Sequence, residues 1–187
     1  VRMEMGLFKQ IVDELAAEKL PLIRFVFAGI GEPTLDRNLG EKIRYLKDKL
    51  PDVPVQLTTN ASLLTEAKGK ELIDAGLDRV MISFNGTTKE SYEAVMGHMN
   101  YEKTMANLLM FLSLRKDGRP HLTISCVRLD ANAKDFAGLE EFWREKGVQV
   151  DGYKTPVPFN RGQDKMKYLS KWAMPKPTAP RHYYPCR

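Results

Sequence analysis

Phe25-Val-Phe-Ala-Gly-Ile-Gly-Glu-Pro33 is a short apolar run that ends in two glycines, a carboxylate and a proline. Residues 22 to 28 are rich in β-branched and aromatic side chains, which predicts a buried strand. The glycines let the backbone turn and approach another group closely, and Pro33 restricts the backbone of Glu32. Ligand contacts in α/β sheets and barrels lie at the carboxyl ends of strands. The stretch therefore predicts either a strand that ends at a binding site or a tight turn whose Glu32 faces water.

The composition indicates one globular domain. The chain has 187 residues, of which 43% are hydrophobic and 28% charged, and this is enough for a proper core. No apolar run reaches the roughly 20 residues that would span a bilayer, and no signal-peptide pattern opens the chain. We therefore expect a cytoplasmic protein without a membrane partner.

The positive charge is concentrated near the end of the chain. Residues 156–187 contain seven Lys or Arg and one acid, whereas the preceding residues contain 22 basic and 23 acidic side chains. We therefore predict a folded domain at 1–155 and a basic, proline-containing linker at 156–187. No nucleic-acid-binding motif accompanies the basic segment, which argues against a nucleic-acid partner.

Helical and strand patterns alternate along the domain. Leu7, Ile11 and Leu15 recur at helical spacing and predict a first helix over residues 3–19. The predicted helix starts are Asn38, Thr65 and a capping box of Thr87 with Glu90. Further apolar helix faces are predicted at Leu39, Ile43, Leu46 and Leu50, at Tyr92, Val95, Met96 and Met99, at Met105, Leu108, Leu109 and Leu112, and at Phe136, Leu139, Phe142 and Trp143.

Strands are predicted at residues 22–28, 53–58, 79–84, 122–127 and 148–154. About five strand-helix units with short connections predict an α/β fold with a parallel sheet, either open and doubly wound or curled into a full or partial (β/α) barrel. Polar clusters follow four of these strands, at 31–32, 58–60, 83–85 and 125–128. Because the carboxyl ends of parallel strands share one edge of a sheet, these clusters are expected to converge.

Three of these clusters resemble motifs of the radical S-adenosylmethionine enzymes. Ile30-Gly31-Glu32-Pro33 resembles the family's Gly-Gly-Glu-Pro motif, with Ile30 at the first Gly, and Ile82-Ser83-Phe84-Asn85-Gly86 resembles its Ser-x-Asp-Gly strand end, with Asn for Asp. Thr58-Thr59-Asn60 resembles the polar end of the family's third strand. The cofactor-binding residues that the resemblance implies are Gly31, Glu32, Thr58, Asn60, Ser83, Asn85, Ser125 and Arg128.

The resemblance implies a fold, two cofactors and a reaction. The fold would be a partial parallel (β/α) barrel, similar to a TIM barrel, that lacks its first strand. Gly31 and Glu32 would hold the amino group of S-adenosylmethionine, and Ser83 its carboxylate or ribose. A 4Fe-4S cluster and an electron donor such as flavodoxin or ferredoxin would allow reductive cleavage to a deoxyadenosyl radical, which takes a hydrogen atom from a peptide or protein substrate.

The family's Cys-x-x-x-Cys-x-x-Cys loop is not in this sequence, whose two cysteines are Cys126 and Cys186. We expect that loop upstream of Met3, so that this chain is a fragment of an active parent. Asn160-Arg-Gly and Pro185-Cys186-Arg187 resemble the approach to a SPASM-type domain. The resemblance implies that Cys186 is a ligand of an auxiliary cluster, although a single cysteine also fits an ordinary thiol.

Two other functions fit the sequence. Lys154, at the end of the last predicted strand, could form a Schiff base in an aldolase-like barrel, or it could be an ordinary surface lysine. A barrel without a cluster could also be a non-catalytic scaffold.

Overall fold

The computed structural model describes residues 3–29, 31–97, 99–127 and 129–148. Helices and strands alternate through these ranges, with short 3-10 helices at Pro33–Leu35, Asp130–Asn132 and Asp135–Gly138. The helices are α1 (Met5–Glu18), α2 (Leu39–Lys49), α3 (Glu66–Asp74), α4 (Lys89–Met96), α5 (Tyr101–Leu114) and α6 (Leu139–Glu145). The strands are β1 (Phe25–Phe27), β2 (Val55–Thr59), β3 (Arg79–Ser83) and β4 (His121–Ser125).

The four strands form one parallel sheet in the order β1-β2-β3-β4, with β1 and β4 at its edges. Each strand returns to the sheet through a helical connection, as parallel pairing requires. The predicted α/β fold with a parallel sheet is confirmed, and within the described residues the sheet is not closed, which agrees with the predicted partial barrel. The fifth predicted strand, at 148–154, lies almost entirely outside the described residues.

Side-chain alternation gives the sheet two different faces. Val55, Leu57, Val80 and Ile82 are at most 1% exposed and pack with residues of all six helices, α1 to α6, in one core. Successive strand residues point to opposite faces. The other face, here called the polar face, therefore carries Val26, Gln56, Thr58, Arg79, Met81, Ser83, His121, Thr123 and Ser125.

The buried side of α1 differs from the prediction. Leu7 is 52% exposed, whereas Phe8 and Val12 are buried. The Phe8 ring packs against Phe25 and Phe27 of β1, with centroids 6.0 and 5.8 Å apart. Because the ring buries more apolar area than a leucine, it determines the rotation of the helix, and the stripe predicted from Leu7, Ile11 and Leu15 is one residue out of phase.

Two helix starts also differ from the sequence prediction. The capping box of α4 consists of Thr88 and Ser91, one residue later than predicted, because Asp135 accepts the Thr87 N–H. Asn38 precedes α2, but its side chain makes no capping hydrogen bond. The Thr65 cap of α3 is confirmed, since its hydroxyl accepts the Lys68 N–H.

The other predicted helix faces are largely confirmed. Leu39, Ile43 and Leu46 of α2 are buried, as are Met105 and Leu108 of α5. Leu109 is instead 39% exposed, and the buried aromatic residue of α5 is Phe111. No helix among the described residues is both long enough and apolar enough to cross a membrane.

Candidate cofactor site

Glu32 joins the carboxyl ends of β1 and β2. Its Oε1 accepts hydrogen bonds from Thr34 N at 3.0 Å, Thr34 Oγ1 at 2.6 Å and Thr59 Oγ1 at 2.6 Å. Its Oε2 accepts the Asn60 N–H at 2.8 Å. All four partners are donors, which suits the acceptor-only chemistry of a carboxylate. The predicted site residue therefore fixes the turn, and Oε2 keeps acceptor capacity for one further donor.

Asn60 shapes the loop that follows β2. Its Oδ1 accepts from Ser62 N at 3.0 Å and Ser62 Oγ at 2.7 Å, an Asx turn that leads the chain through Ala61 at φ 59°. Thr59, which the sequence prediction passed over, donates to Glu32 and accepts the Ala61 N–H at 3.0 Å. The structure therefore brings Glu32 and Asn60 together as predicted, through the main chain of Asn60.

A buried lysine anchors the turn from its other side. Lys42 Nζ lies 2.7 Å from Asp36 Oδ2 and donates to the Met3 carbonyl oxygen at 2.6 Å, and its side chain is only 4% exposed. Asp36 directly follows the 3-10 helix that Glu32 caps. The start of α1 is thus linked to the Glu32 turn. No sequence pattern indicates this link, because Lys42 resembles any other polar residue of an amphipathic helix.

Asn85 has the corresponding role at β3 and β4. Its Oδ1 accepts the Val127 N–H at 2.7 Å, and its main-chain carbonyl accepts from Asn132 Nδ2 at 3.1 Å. Asn85 is 7% exposed and Asn132 is 1% exposed, so these bonds are shielded from water. Gly86 is required next to Asn85, because a Cβ there would lie 2.5 Å from Tyr92 N.

The loop after β3 is also held by a carboxylate. Asp135 accepts from Thr87 N at 2.6 Å and from the Ser91 hydroxyl. Burial acts to raise the pKa of Asp135, but the Ser91 and Thr87 hydrogen bonds outweigh it and leave the pKa below its ordinary value. Burial, together with the negative charge of nearby Asp135, raises the pKa of the Cys126 thiol to about 12. Cys126 is therefore an inert core residue.

Three predicted site residues on the polar face make no side-chain hydrogen bond within the described residues. Thr58 Oγ1 is buried and has no hydrogen-bond partner among the described residues. Ser83 and Ser125 are neighbours in the β3–β4 register. Thr58 and Ser83 are half-buried and Ser125 is 8% exposed. An unsatisfied buried hydroxyl costs about 1–3 kcal/mol, so Thr58 is a candidate for a ligand contact.

The glycines before Glu32 leave open space. A Cβ built on Gly29 or on Gly31 would meet nothing within 4 Å. Gly29 has φ +157°, close to extended backbone, so the room beside it is more informative than its conformation. The main chain of Gly31 is exposed and can be approached by another molecule.

Some predicted residues lie outside the described part of the chain: Ile30, Arg128, Lys154 and Cys186. Among the described residues, no group of three or more His, Cys, Asp or Glu side chains could hold a metal ion.

The site can be compared with known proteins. The sequence model of the Radical SAM superfamily matches residues 2–142. A probable GTP 3',8-cyclase of Metallosphaera sedula is 26% identical over an alignment 193 positions long, which covers 97% of this chain and 57% of that protein. The PqqA peptide cyclase of Bradyrhizobium diazoefficiens is 36% identical over 93 residues, or 50% of this chain and 23% of that protein.

The crystal structure of Streptococcus suis SuiB shares the fold, with a TM-score of 0.59 at 15% identity over 80% of this chain and 36% of SuiB. The chain thus spans little more than half of the cyclase, and less of the other two proteins. Because the family model covers three quarters of its length, this chain belongs to the radical S-adenosylmethionine superfamily, whose members are enzymes that use S-adenosylmethionine and a 4Fe-4S cluster.

Proposed function

We propose that this chain is the S-adenosylmethionine-binding core of a radical enzyme that takes a hydrogen atom from a peptide or protein substrate. The observation that carries the proposal is Thr58 Oγ1, a buried hydroxyl on the polar face without a partner among the described residues. It lies at the carboxyl end of β2, where ligands bind in parallel sheets. S-adenosylmethionine offers carboxylate and ribose oxygens that would satisfy it, so the residues present fit this cofactor.

The residues of the site divide into contacts and supports. We assign the exposed main chain of Gly31 and the remaining acceptor capacity of Glu32 Oε2 to the ammonium group. The Thr58, Ser83 and Ser125 hydroxyls can donate to the carboxylate or exchange hydrogen bonds with the ribose. Asn60 and Asn85 support these contacts by fixing the strand ends, and Arg128 is a further contact in this proposal.

When bound, the cofactors supply reductive cleavage of the sulfonium and a deoxyadenosyl radical. The described residues offer no ligand set for the cluster. The contribution of this chain is to bind and orient S-adenosylmethionine, and the closely packed strand ends restrict the positions that it can take. A low-potential electron donor such as flavodoxin or ferredoxin belongs to the same proposal.

The substrate class and the linker are also proposals. A relative named PqqA peptide cyclase supports a peptide substrate. Residues 156–187 would lead to a SPASM-type domain, with Cys186 as a ligand of an auxiliary cluster, and the protein would work in the cytoplasm. These assignments rest on sequence resemblance.

Thr58→Val tests the cofactor contact. We expect S-adenosylmethionine affinity, measured by titration calorimetry, to fall about fivefold or more, because one hydrogen bond to a charged or polar group is lost. Thr104→Val is the matched control, since Thr104 of α5 is also buried, at 1% exposed, but its hydroxyl donates to the carbonyl oxygen of Asn100. Unchanged affinity in Thr58→Val, or an equal loss in both variants, would contradict the assignment.

The reaction itself needs a second experiment. The full natural protein, reconstituted anaerobically with iron and sulfide and then reduced, should release deoxyadenosine from S-adenosylmethionine. Iron incorporation without deoxyadenosine release would contradict the radical chemistry, even if the affinity measurements supported the binding site.

A further inference from the structure

A second group of polar side chains lies at the opposite end of the polar face. The strand register places Gln56, Arg79 and His121 side by side on β2, β3 and β4. Adjacent strands are about 4.8 Å apart, so these residues form a continuous row. Arg24, just before β1, joins it, because its Nη1 donates to Gln56 Oε1 at 3.1 Å. We call these four residues the amino-end row.

The amino-end row carries unbalanced positive charge. No acidic side chain pairs with Arg24, Arg79 or His121 in the part of the chain that the structure describes, whereas nine ion pairs form elsewhere in it. The polar face contributes no carboxylate among the residues assigned to it above. Arg24 and Arg79 are permanently charged, so the amino-end row carries two positive charges that no member of the row balances.

The side chains of the amino-end row offer hydrogen-bond donors to a ligand on the polar face. Arg79 and His121 are exposed and their side chains make no hydrogen bond within the described residues. Gln56 is only 8% exposed, and its carbonyl oxygen accepts from Arg24, so the amide N–H groups are the donors that remain on this side chain. Guanidinium, amide and imidazole donors in one line match the oxygens of a carboxylate or a phosphate.

We propose that the amino-end row binds an anionic oxygen group, a carboxylate or a phosphate, of the substrate. The bound group would neutralise the row, while S-adenosylmethionine occupies the carboxyl end of the same face. This role in substrate binding rests on the proposed function, but binding of the anion itself does not.

The register also predicts the length of the substrate. Thr58 lies two residues along β2 from Gln56, and Ser83 lies four residues along β3 from Arg79. At about 3.3 Å per residue, the row is about 7–13 Å from the hydroxyls at the cofactor end. The carbon that loses its hydrogen should therefore lie within about that distance of the anionic group.

Anion binding is measured directly by titration calorimetry at low ionic strength, with inorganic tripolyphosphate and glutarate as separate probes. The probe that binds more tightly identifies phosphate or carboxylate as the preferred group. We expect Arg79→Gln to weaken the tighter probe about tenfold, and His121→Gln to weaken it less. Arg44→Gln, on the exposed side of α2, removes the same charge elsewhere and should leave binding unchanged.

Failure of this proposal is distinct from failure of the proposed function. Absence of binding by the unmodified protein, or an equal loss in Arg79→Gln and Arg44→Gln, would overturn the amino-end row as an anion site. S-adenosylmethionine affinity is measured on the same variants, and Arg79→Gln should leave it unchanged. If the anion binds but S-adenosylmethionine does not, the proposed cofactor site fails and the anion site stands.

Discussion

The two outer strand pairs of the sheet are joined at their carboxyl ends in chemically different ways. Glu32 connects β1 to β2 with a carboxylate that accepts four hydrogen bonds, whereas Asn85 connects β3 to β4 with a neutral side chain. Within the described residues, no side-chain hydrogen bond connects the end of β2 to the end of β3. Thr58 and Ser83 lie on the polar face near the carboxyl ends of this central strand pair, β2 and β3.

The difference indicates how rigidity and binding capacity are distributed. Glu32 and Asn85 use most of their hydrogen-bonding capacity on the protein, so their main effect is to fix the positions of the strand ends. The Thr58 hydroxyl, by contrast, has no hydrogen-bond partner among the described residues. Hydrogen bonds to a charged group are stronger than those between neutral groups, so we expect the Glu32 connection to contribute more to stability than the Asn85 connection.

Glu32→Gln should give the largest effect. A glutamine has one acceptor oxygen, and its NH₂ group would face a donor in either orientation, since all four partners donate. We expect the free energy of unfolding, from urea denaturation, to fall by about 2–3 kcal/mol. Affinity for S-adenosylmethionine should fall as well, because Oε2 is the proposed ammonium contact.

Glu66→Gln is the control for the change in charge. Glu66 pairs with Lys70 on the exposed surface of α3, and such pairs contribute little. Its unfolding midpoint should match that of the unmodified protein. If Glu32→Gln were as stable as this control, Glu32 would not hold β1 and β2 together.

Asn85→Ala should give the next largest effect. It leaves the Val127 N–H without its acceptor at a position shielded from water, and an unmade buried hydrogen bond costs about 1–2 kcal/mol. The free energy of unfolding should fall by that amount, with a smaller change in S-adenosylmethionine affinity than in Glu32→Gln. Asn38→Ala is the matched control, because the Asn38 side chain is exposed and caps nothing. A loss in Asn85→Ala larger than in Glu32→Gln would reverse the comparison.

The sequence predicted the position of polar side chains at the strand ends better than the contacts that these side chains make. Polar clusters after apolar runs correctly predicted that Glu32, Asn60, Ser83 and Asn85 lie at or just after strand ends, because strand ends and turn residues have local patterns. The hydrogen-bond partners could not be predicted, since Glu32 meets Thr59 and Asn60 only after two strands pair in a defined register.

The same limit explains the individual errors. Thr58 and Thr59 are adjacent and chemically identical, yet alternation sends one to the polar face and the other towards the core, and only packing decides which. The phase of α1 was wrong because Phe8 and Leu7 begin equally regular stripes. Asp135 was missed because it lies 48 residues from Thr87, and no local pattern connects them.

Asp135→Asn sharpens the comparison, because it removes the carboxylate from the β3–β4 side. We expect the free energy of unfolding to fall by about 1 kcal/mol at neutral pH, less than for Glu32→Gln, since Asp135 is only half-buried.

The pKa of Asp135 is lowered in the folded protein, so its stabilisation is full above the ordinary aspartate pKa and is lost as the pH falls through the folded value. Urea denaturation at pH 7 and near pH 3 should therefore show a difference between Asp135→Asn and the unmodified protein that shrinks on acidification. Asp48→Asn, an exposed substitution on α2, should show no difference at either pH. If the deficit of Asp135→Asn were independent of pH, the loss would come from packing rather than from the charge, and the β3–β4 side would be held by neutral hydrogen bonds alone.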